Sequence, residues 1–220
     1  MDDFRSKLQS LYRHLLRKHG YQGWWPLISI GYHPRDYTYP KSEKQKFEIC
    51  IGAILTQNTS WTGAYKSIEN LHSLSLLDPQ LILRQDRKKL KKAITPAGYS
   101  NQKTRKLCEF SKFYISLRGR TPTRTELLKV WGIGPETADS ILLYAYKVPT
   151  FVIDEYTKRF LASIAIPSES LTYEQMKEIF EKNLKKSYEL YQEYHALIVC
   201  EEKEKSKIAK RRGGEIQKPP

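Results

Sequence analysis

Apolar residues recur at steps of three and four positions through most of this 220-residue chain. Such spacing places the apolar side chains along one face of an α-helix. A β-strand would instead alternate apolar and polar residues, and the sequence has no alternating stretch of any length and no internal repeat. The sequence therefore predicts an all-α fold. Two examples of the pattern are the sets Phe4, Leu8, Leu11, Leu15 and Leu107, Phe110, Phe113, Leu117.

Turn and capping signals divide the helical pattern into segments. Residues 20–42 are rich in Gly, Pro and aromatic residues and predict a long structured loop. Pro79 suits the first turn of a helix, and Thr172 followed by Gln175 is a capping-box signature. Small residues at positions 51–53 predict close contact with another helix. The later helices are predicted over residues 124–130, 136–146, 155–164, 173–184 and 187–202.

Basic residues outnumber acidic ones by 38 to 24, which gives a formal net charge of +14. A charge of this size favours a polyanion as partner, and the alternative is a solubilising surface. The cysteines form no CxxC and no disulfide framework, and the histidines show no metal-ligand spacing, so we expect reduced thiols in a cytoplasmic protein. The sequence has no signal-peptide pattern and no apolar run of membrane-spanning length, and we expect no membrane partner.

Gly132-Ile133-Gly134 separates two predicted amphipathic helices, and Thr137 opens the second of them. Both glycines can take positive φ and leave backbone N–H groups uncovered. These N–H groups lie at a helix N-terminus, where the helix dipole favours an anion, and Ile133 can dock in the core. The turn can therefore grip a DNA phosphate through its backbone without reading sequence. The alternative is a plain αα-hairpin with a tight glycine turn.

Four segments in register resemble the endonuclease III superfamily of helix-hairpin-helix DNA glycosylases. They are FEICIGAILTQNTSW, ITPAGYSNQKTRKL, LLKVWGIGPETADSILLYA and FVIDEYTKRF, and they fall within residues 45–165. The resemblance implies a DNA glycosylase in base excision repair. Its implied partner is double-stranded DNA that contains a damaged base, and we expect a monomer that associates with the nucleoid through DNA binding.

The resemblance also implies two helical subdomains with the active site in the cleft between them. We place the central subdomain at residues 45–150, with the hairpin at about 124–146. Residues 1–44 and 151–202 then form the second subdomain from both chain ends. Residues 203–220 are basic, lack aromatic residues and end in Pro-Pro, which predicts a disordered tail.

Two departures from the family pattern set the expected subclass. Members that also cleave the DNA backbone carry a lysine where this chain has Glu136, and a carboxylate cannot form a Schiff base. Members with a [4Fe–4S] cluster use four cysteines, whereas this chain has only Cys50, Cys108 and Cys200. The resemblance therefore implies a monofunctional glycosylase that has no AP lyase activity, no metal and no cofactor.

The GWWP segment at positions 23–26 is similar to the MagIII branch of 3-methyladenine DNA glycosylases. That branch implies alkylated purines as substrates, with 3-methyladenine favoured. The resemblance assigns a base pocket whose residues are Trp24, Trp25, Pro26 and Trp61, with Glu136 at its edge. Electron-rich rings stacked on a cationic methylated purine gain about 0.5–2 kcal/mol per contact. The alternative for the tryptophans is ordinary core packing.

A base in a duplex must be flipped out before it can be released. Gln57 and Tyr99 lie in turns that resemble the segments carrying the family's wedge residues, which fill the gap. Their alternatives are a helix cap for Gln57 and a half-buried turn residue for Tyr99. Lys103 and Lys158 are candidate phosphate contacts, and the alternative is that both are simply solvated.

Asp154 occupies the position of the family's catalytic aspartate, directly after the apolar run Phe151-Val152-Ile153. Loss of the base leaves a sugar with oxocarbenium character, and a carboxylate can stabilise that charge and orient or deprotonate water. Asp154 also suits an N-cap for the next helix, and the two roles are compatible. Two other functions stay open, namely a glycosylase for a mispaired or oxidised base and a non-enzymatic helix-hairpin-helix DNA-binding protein.

Overall fold

The computed structural model of the chain describes residues 2–215, and their regular structure is helical. The exception within these residues is one isolated antiparallel bridge between Leu27 and Gly31. The all-α prediction is confirmed. The α-helices are α1 (Asp2–His19), α2 (Glu43–Leu55), α3 (Trp61–Ser73), α4 (Pro79–Arg84), α5 (Arg87–Ala93), α6 (Ser100–Ser116), α7 (Arg124–Leu128), α8 (Pro135–Ser140), α9 (Glu155–Ser163), α10 (Tyr173–Asn183) and α11 (Tyr188–Glu215). Short 3₁₀ turns occupy Thr95–Ala97 and Ser168–Ser170, and a π-helical turn, Ile141–Ala145, extends α8.

Polar caps define several helix starts. Thr172 forms the predicted capping box with Gln175 at the start of α10, and Thr123 forms a second one with Glu126 at the start of α7. Each threonine oxygen accepts a backbone N–H, while the third helical residue reaches back to the cap N–H. None of the helices in the described part of the chain is both long enough and apolar enough to cross a bilayer.

The chain divides into two compact units. The first unit joins the N-terminal segment through Trp24 to the residues from Pro149 onward, and the second unit is Trp25–Val148. The predicted boundary before residue 45 is therefore misplaced, since residues 25–44 belong with the second unit. The reason is local packing: the indole of Trp25 lies against α2, and the carboxylate of Glu48 accepts the backbone N–H of Ile28 at 2.6 Å.

Aromatic stacking forms much of the core of the first unit. Phe151 stacks on Phe180 of α10 with ring centroids 3.9 Å apart and planes within 3° of parallel. Tyr194 of α11 meets both rings edge-on, and its hydroxyl donates to the Leu8 carbonyl at 2.9 Å. These contacts connect α1, α10 and α11 with the segment that leads into α9.

Helix α2 forms the centre of the second unit. Every residue from Phe47 to Leu55 is buried, and the helix contacts α3, α6 and the π-helical turn. A helix that is apolar on all sides must be covered on all sides, which explains its central place.

The prediction of a disordered tail over 203–220 is wrong for residues 203–215, which continue α11. Ion pairs of Lys205 with Glu201 and Glu202 and of Lys18 in α1 with Glu204 support this part of the helix. Composition alone misses such pairing between distant segments. Residues 216–220 of the predicted tail lie outside the described residues.

Candidate functional site

Asp154 is the N-cap of α9, directly after three buried apolar residues. Its Oδ1 accepts the backbone N–H of Thr157 at 2.7 Å and the Thr157 hydroxyl at 2.9 Å. Its Oδ2 lies 3.5 Å from Nε2 of His195 in α11, and the carboxylate side chain is 17% exposed. Oδ1 of Asp154 therefore caps α9, as predicted, while Oδ2 faces His195.

Burial by itself would raise the pKa of Asp154. The neighbouring His195 and the two Thr157 donors outweigh burial and hold the pKa of Asp154 below its ordinary value. The carboxylate is therefore ionised at neutral pH. An ionised carboxylate can stabilise a developing cation and accept a proton from water.

In the first unit Lys203 lies near this carboxylate, and Trp24 packs against its neighbour His195. The Trp24 ring meets His195 edge-on, with centroids 6.0 Å apart. Lys203 Nζ lies 5.7 Å from the Trp24 ring and 5.5 Å from the Tyr156 ring. Burial lowers the pKa of Lys203, and the negative charge of Asp154 opposes that shift. Sequence reasoning missed His195 and Lys203, because neither lies in a motif.

The second unit carries a separate aromatic cluster around Trp25, which is 7% exposed. Trp25 meets Trp61 and Tyr144 edge-to-face at centroid distances of 5.7 Å and 5.3 Å. The indole reaches into α2 at Gly52, where an added Cβ would lie 3.0 Å from the indole Nε1. The absence of a side chain at Gly52 thus leaves room for the indole, while α2 also contacts α3 and α6. Pro26 is buried next to Trp25 in the chain.

Of the three tryptophans predicted to line the base pocket, the structure therefore brings Trp25 and Trp61 into contact. Trp24 contributes to the first unit, where its ring partners are His195 and Lys203. Glu136 is exposed in the first turn of α8.

The loop before α2 fixes the backbone of Trp25. His33 has one ring nitrogen 2.7 Å from the Asp36 carbonyl oxygen and the other 2.9 Å from the Trp25 carbonyl oxygen. Tyr32, the preceding residue, is 52% exposed and its hydroxyl is hydrogen-bonded to the Trp61 side chain. Tyr32 and Tyr144 are aromatic neighbours of the cluster that the sequence analysis did not select.

The glycine turn joins α7 to α8 as predicted, but the two glycines differ. Gly132 has φ +83°, and an added Cβ would lie 2.7 Å from the Lys106 side chain. Gly134 has φ −94° and is the N-cap of α8, so the prediction of positive φ at Gly134 is wrong. Gly134 takes an extended conformation because the cap of a helix needs β-region dihedrals. Ile133 is 5% exposed and is buried as expected.

A buried ion pair links the two hairpin helices. Asp139 of α8 is fully buried and accepts two hydrogen bonds from the Arg124 guanidinium of α7, at 2.9 Å and 3.2 Å. A bidentate pair of this kind fixes orientation as well as distance. The pair holds the hairpin helices across the glycine turn, and the sequence pattern did not reveal it.

The Gln57 side chain is bound to the hairpin. Its Nε2 donates to the Gly132 carbonyl at 3.0 Å and to the Thr137 hydroxyl at 2.8 Å, and its Oε1 accepts from Lys106 Nζ. The alternative of a helix cap is wrong, because the C-cap of α2 is Thr56. Thr137 itself is buried, so its hydroxyl serves the protein interior.

Tyr99 lies at the N-cap position of α6 in the left-handed region, with φ +45°, and its ring is 65% exposed. The alternative of a half-buried turn residue is therefore wrong.

Lys103 is 2% exposed and donates from Nζ to the carbonyls of Leu55 and Ala97, each at 2.8 Å. Its prediction as a phosphate contact is wrong, because the ammonium is enclosed by protein. Lys158 of α9 is 39% exposed and forms an ion pair with Glu155.

A model of the HhH-GPD superfamily, described as base excision DNA repair proteins, matches residues 51–186. A protein of Methanocaldococcus jannaschii named "Putative DNA repair glycosylase" is 41% identical over 203 residues, which are 87% of this chain and 85% of that protein. The chain belongs to the HhH-GPD superfamily. It is a DNA glycosylase of base excision repair, and the resemblance noted in the sequence is confirmed.

Solved HhH-GPD structures share the fold. The H. pylori 3-methyladenine DNA glycosylase MagIII, bound to 1,N6-ethenoadenine, superposes with a TM-score of 0.70 at 28% identity, covering 93% of this chain and 97% of that one. A trapped endonuclease III–DNA covalent intermediate superposes with a TM-score of 0.71 at 17% identity, covering 89% of this chain and 84% of that one. The second likeness concerns the fold alone.

One group of side chains in the described residues of this HhH-GPD chain has metal-ligand composition. Ligand atoms of His19, Glu201 and Glu204 all lie within 4.8 Å of one another. Lys18 Nζ already lies 2.7 Å and 2.8 Å from the two glutamates, so an ammonium takes the cation position. The group is an ion-pair network that joins α1 to α11.

Proposed function

We propose that this HhH-GPD protein is a monofunctional DNA glycosylase that releases alkylated purines, with 3-methyladenine favoured, from duplex DNA. The observation that carries the proposal is the ionised carboxylate of Asp154, held by Thr157 and His195 at the start of α9. The likeness to MagIII over 93% of the chain supports the choice of alkylated purines. The sites proposed to bind DNA backbone are the hairpin residues Gly132, Ile133, Gly134 and Thr137 and the exposed Lys158.

The reaction breaks the bond between the sugar C1′ and the purine. A purine methylated at N3 carries positive charge, so the bonding electron pair neutralises the leaving base and no general acid is needed. The Asp154 carboxylate stabilises the resulting sugar cation. Water then adds at C1′, and its proton passes to Asp154 or to solvent.

Aromatic rings supply selectivity for the charged base. Cation–π attraction favours a methylated purine over neutral adenine by about 0.5–2 kcal/mol per ring contact. Trp25 and Trp61 lie in contact with each other and are the proposed stacking residues of the second unit. Pro26 and Glu136 are proposed to border the base, and Trp24 is a further proposed base contact.

The decisive experiment is mass analysis of the bases set free from methylated duplex DNA. We expect wild-type protein to release 3-methyladenine, and Asp154→Asn to lower the rate at least about 100-fold because charge stabilisation and general-base help are both lost. Binding of the variant to duplex DNA should stay near that of wild type, because the substitution leaves the proposed phosphate contacts unchanged.

The neighbouring carboxylate offers a matched control. Glu155 is 74% exposed and paired with Lys158, so Glu155→Gln should keep base release within about twofold of wild type. Full activity of Asp154→Asn would overturn the proposed mechanism. Duplex binding without release of any base by the wild type would instead indicate a non-enzymatic DNA-binding protein.

Absence of AP lyase activity is proposed from Glu136, because a carboxylate cannot form the required Schiff base. Borohydride should therefore trap no covalent adduct between the protein and DNA that contains an abasic site. A trapped adduct that disappears in Lys203→Met would identify Lys203 as a nucleophile and overturn the monofunctional assignment.

A further inference from the structure

Lys103 places an ammonium group in the interior of the second unit. The side chain is 2% exposed, and both observed acceptors are backbone carbonyl oxygens, those of Leu55 and Ala97, each 2.8 Å from Nζ. Taking an ammonium out of water costs several kcal/mol of free energy unless it is well hydrogen-bonded. Burial lowers the pKa of Lys103 to about 8, with the charge of Lys106 adding to the shift, so the group is still charged at neutral pH.

The two carbonyls belong to the turns that carry the predicted wedge residues. Leu55 is the last residue of α2, two positions before Gln57, and Ala97 ends the 3₁₀ turn two positions before Tyr99. The last carbonyls of a helix form the negative end of its dipole, which favours a cation there. One ammonium thus joins two turns that lie far apart in sequence.

The backbone of Lys103 adds a second contact with the Tyr99 turn. Its N–H donates to the Tyr99 carbonyl at 3.0 Å, closing the first turn of α6. Tyr99 stands in the left-handed region, which costs a non-glycine residue about 1 kcal/mol or more and persists only where its surroundings enforce it. The turn that carries the exposed Tyr99 ring is therefore held by two hydrogen bonds from Lys103, one from its side chain and one from its backbone.

We propose that Lys103 is a positioning residue for base flipping, whose buried ammonium fixes the Tyr99 turn against the Gln57 turn so that the exposed Tyr99 ring enters the gap in the duplex. This inference rests on the proposed glycosylase function. Lys103 touches neither the substrate nor Asp154, and it acts through the backbone of the two turns.

The test compares one lesion in two contexts, a duplex and a single-stranded oligonucleotide. Only the duplex requires a gap to be filled when the nucleotide leaves the stack. Lys103→Met should lower the single-turnover rate on the duplex about tenfold or more, which corresponds to about 1.4 kcal/mol, and change the single-stranded rate by less than about twofold. Fluorescence of 2-aminopurine placed next to the lesion should report less flipping by the variant.

Lys112→Met is the matched control, because Lys112 lies on the same helix, is 57% exposed and pairs with Glu109. It should leave both rates unchanged. A double-mutant cycle of Lys103→Met with Tyr99→Ala should be non-additive if the lysine acts through Tyr99.

Equal losses on the two substrates would show that Lys103 serves the fold alone. If circular dichroism shows that neither Lys103→Met nor Lys103→Gln folds, Lys103 is required for folding and the proposed positioning role is rejected. Failure of the wild type to release base from either substrate overturns the proposed function, and the 2-aminopurine signal then still tests the role of Lys103 in flipping.

Discussion

Asp154 depends on a single residue, Thr157, for both of its close hydrogen-bond donors. Thr157→Val removes the hydroxyl and keeps the shape of the side chain. The pKa of Asp154 should then rise toward its ordinary value, because one of the groups that lower it is lost. Since the carboxylate must be ionised, the acidic limb of the pH–rate profile for base release should move to higher pH.

Thr157→Ser keeps the hydroxyl and serves as the control, with an acidic limb close to that of wild type. Thr157 is fully buried, and loss of its hydrogen bond should also lower the free energy of unfolding by about 1 kcal/mol. The pKa of Asp154 is lower in the folded than in the unfolded chain, so its ionised form adds to the free energy of unfolding. That contribution is lost as pH falls through the depressed pKa. An acidic limb that does not move in Thr157→Val would contradict the proposed role of the hydroxyl.

Among single residues, the sequence identifies Asp154 as the candidate carboxylate but not its surroundings. His195 and Lys203 come from α11, and no local pattern connects that helix to the start of α9. Sequence reasoning assigns Lys103 to DNA because most lysines lie at the protein surface. Its burial depends on two carbonyls supplied by other segments, which a linear sequence does not display.

The hairpin makes different demands on its two glycines. Gly132→Ala must accept φ +83° and a Cβ 2.7 Å from the Lys106 side chain, which in turn holds Gln57. We expect it to lower the free energy of unfolding by about 1–3 kcal/mol. It should also weaken duplex binding, because the hairpin is the proposed phosphate contact. Chemical denaturation and fluorescence anisotropy measure the two effects.

Gly134→Ala is the comparison within the same turn. Gly134 has φ −94°, and an added Cβ meets no atom within 4 Å. Alanine is a poorer N-cap than glycine by about 0.5–1 kcal/mol, and its lower unfolded-state entropy offsets part of that cost, so only a small net loss of stability is expected. Equal losses for the two substitutions would show that positive φ at Gly132 is not what the turn requires.

Most helices can be predicted from periodicity and caps, since those signals are local. The capping box at Thr172 and the helix start at Pro79 are both observed. The loop at residues 20–42 is predicted as structured, but the placement of its residues from Trp25 onward in the second unit depends on Trp25 packing against Gly52. The continuation of α11 through residues 203–215 depends on ion pairs with α1, which composition cannot show.

For the molecule as a whole, the formal charge of +14 predicts salt-sensitive binding to undamaged duplex DNA. The logarithm of the binding constant should fall linearly with the logarithm of salt concentration, with a slope of about −0.9 for each phosphate contacted. Lys158→Met should reduce that slope by about one contact. Lys103→Met should leave it unchanged, because a buried ammonium displaces no counterions. Anisotropy titrations across salt concentrations provide the measurement, and a flat salt response would contradict a phosphate-dominated interface.

The backbone of α2 at Gly52 packs directly against the Trp25 indole, so a side chain at this position would change where the indole lies. An alanine Cβ there would lie 3.0 Å from the indole Nε1 and 3.2 Å from Cζ2, so the ring would have to retreat by a few tenths of an ångström. A single methyl group at Gly52 would therefore move Trp25, a proposed stacking residue, without replacing any aromatic residue. Under the proposed function, we expect Gly52→Ala to change lesion preference through the position of Trp25.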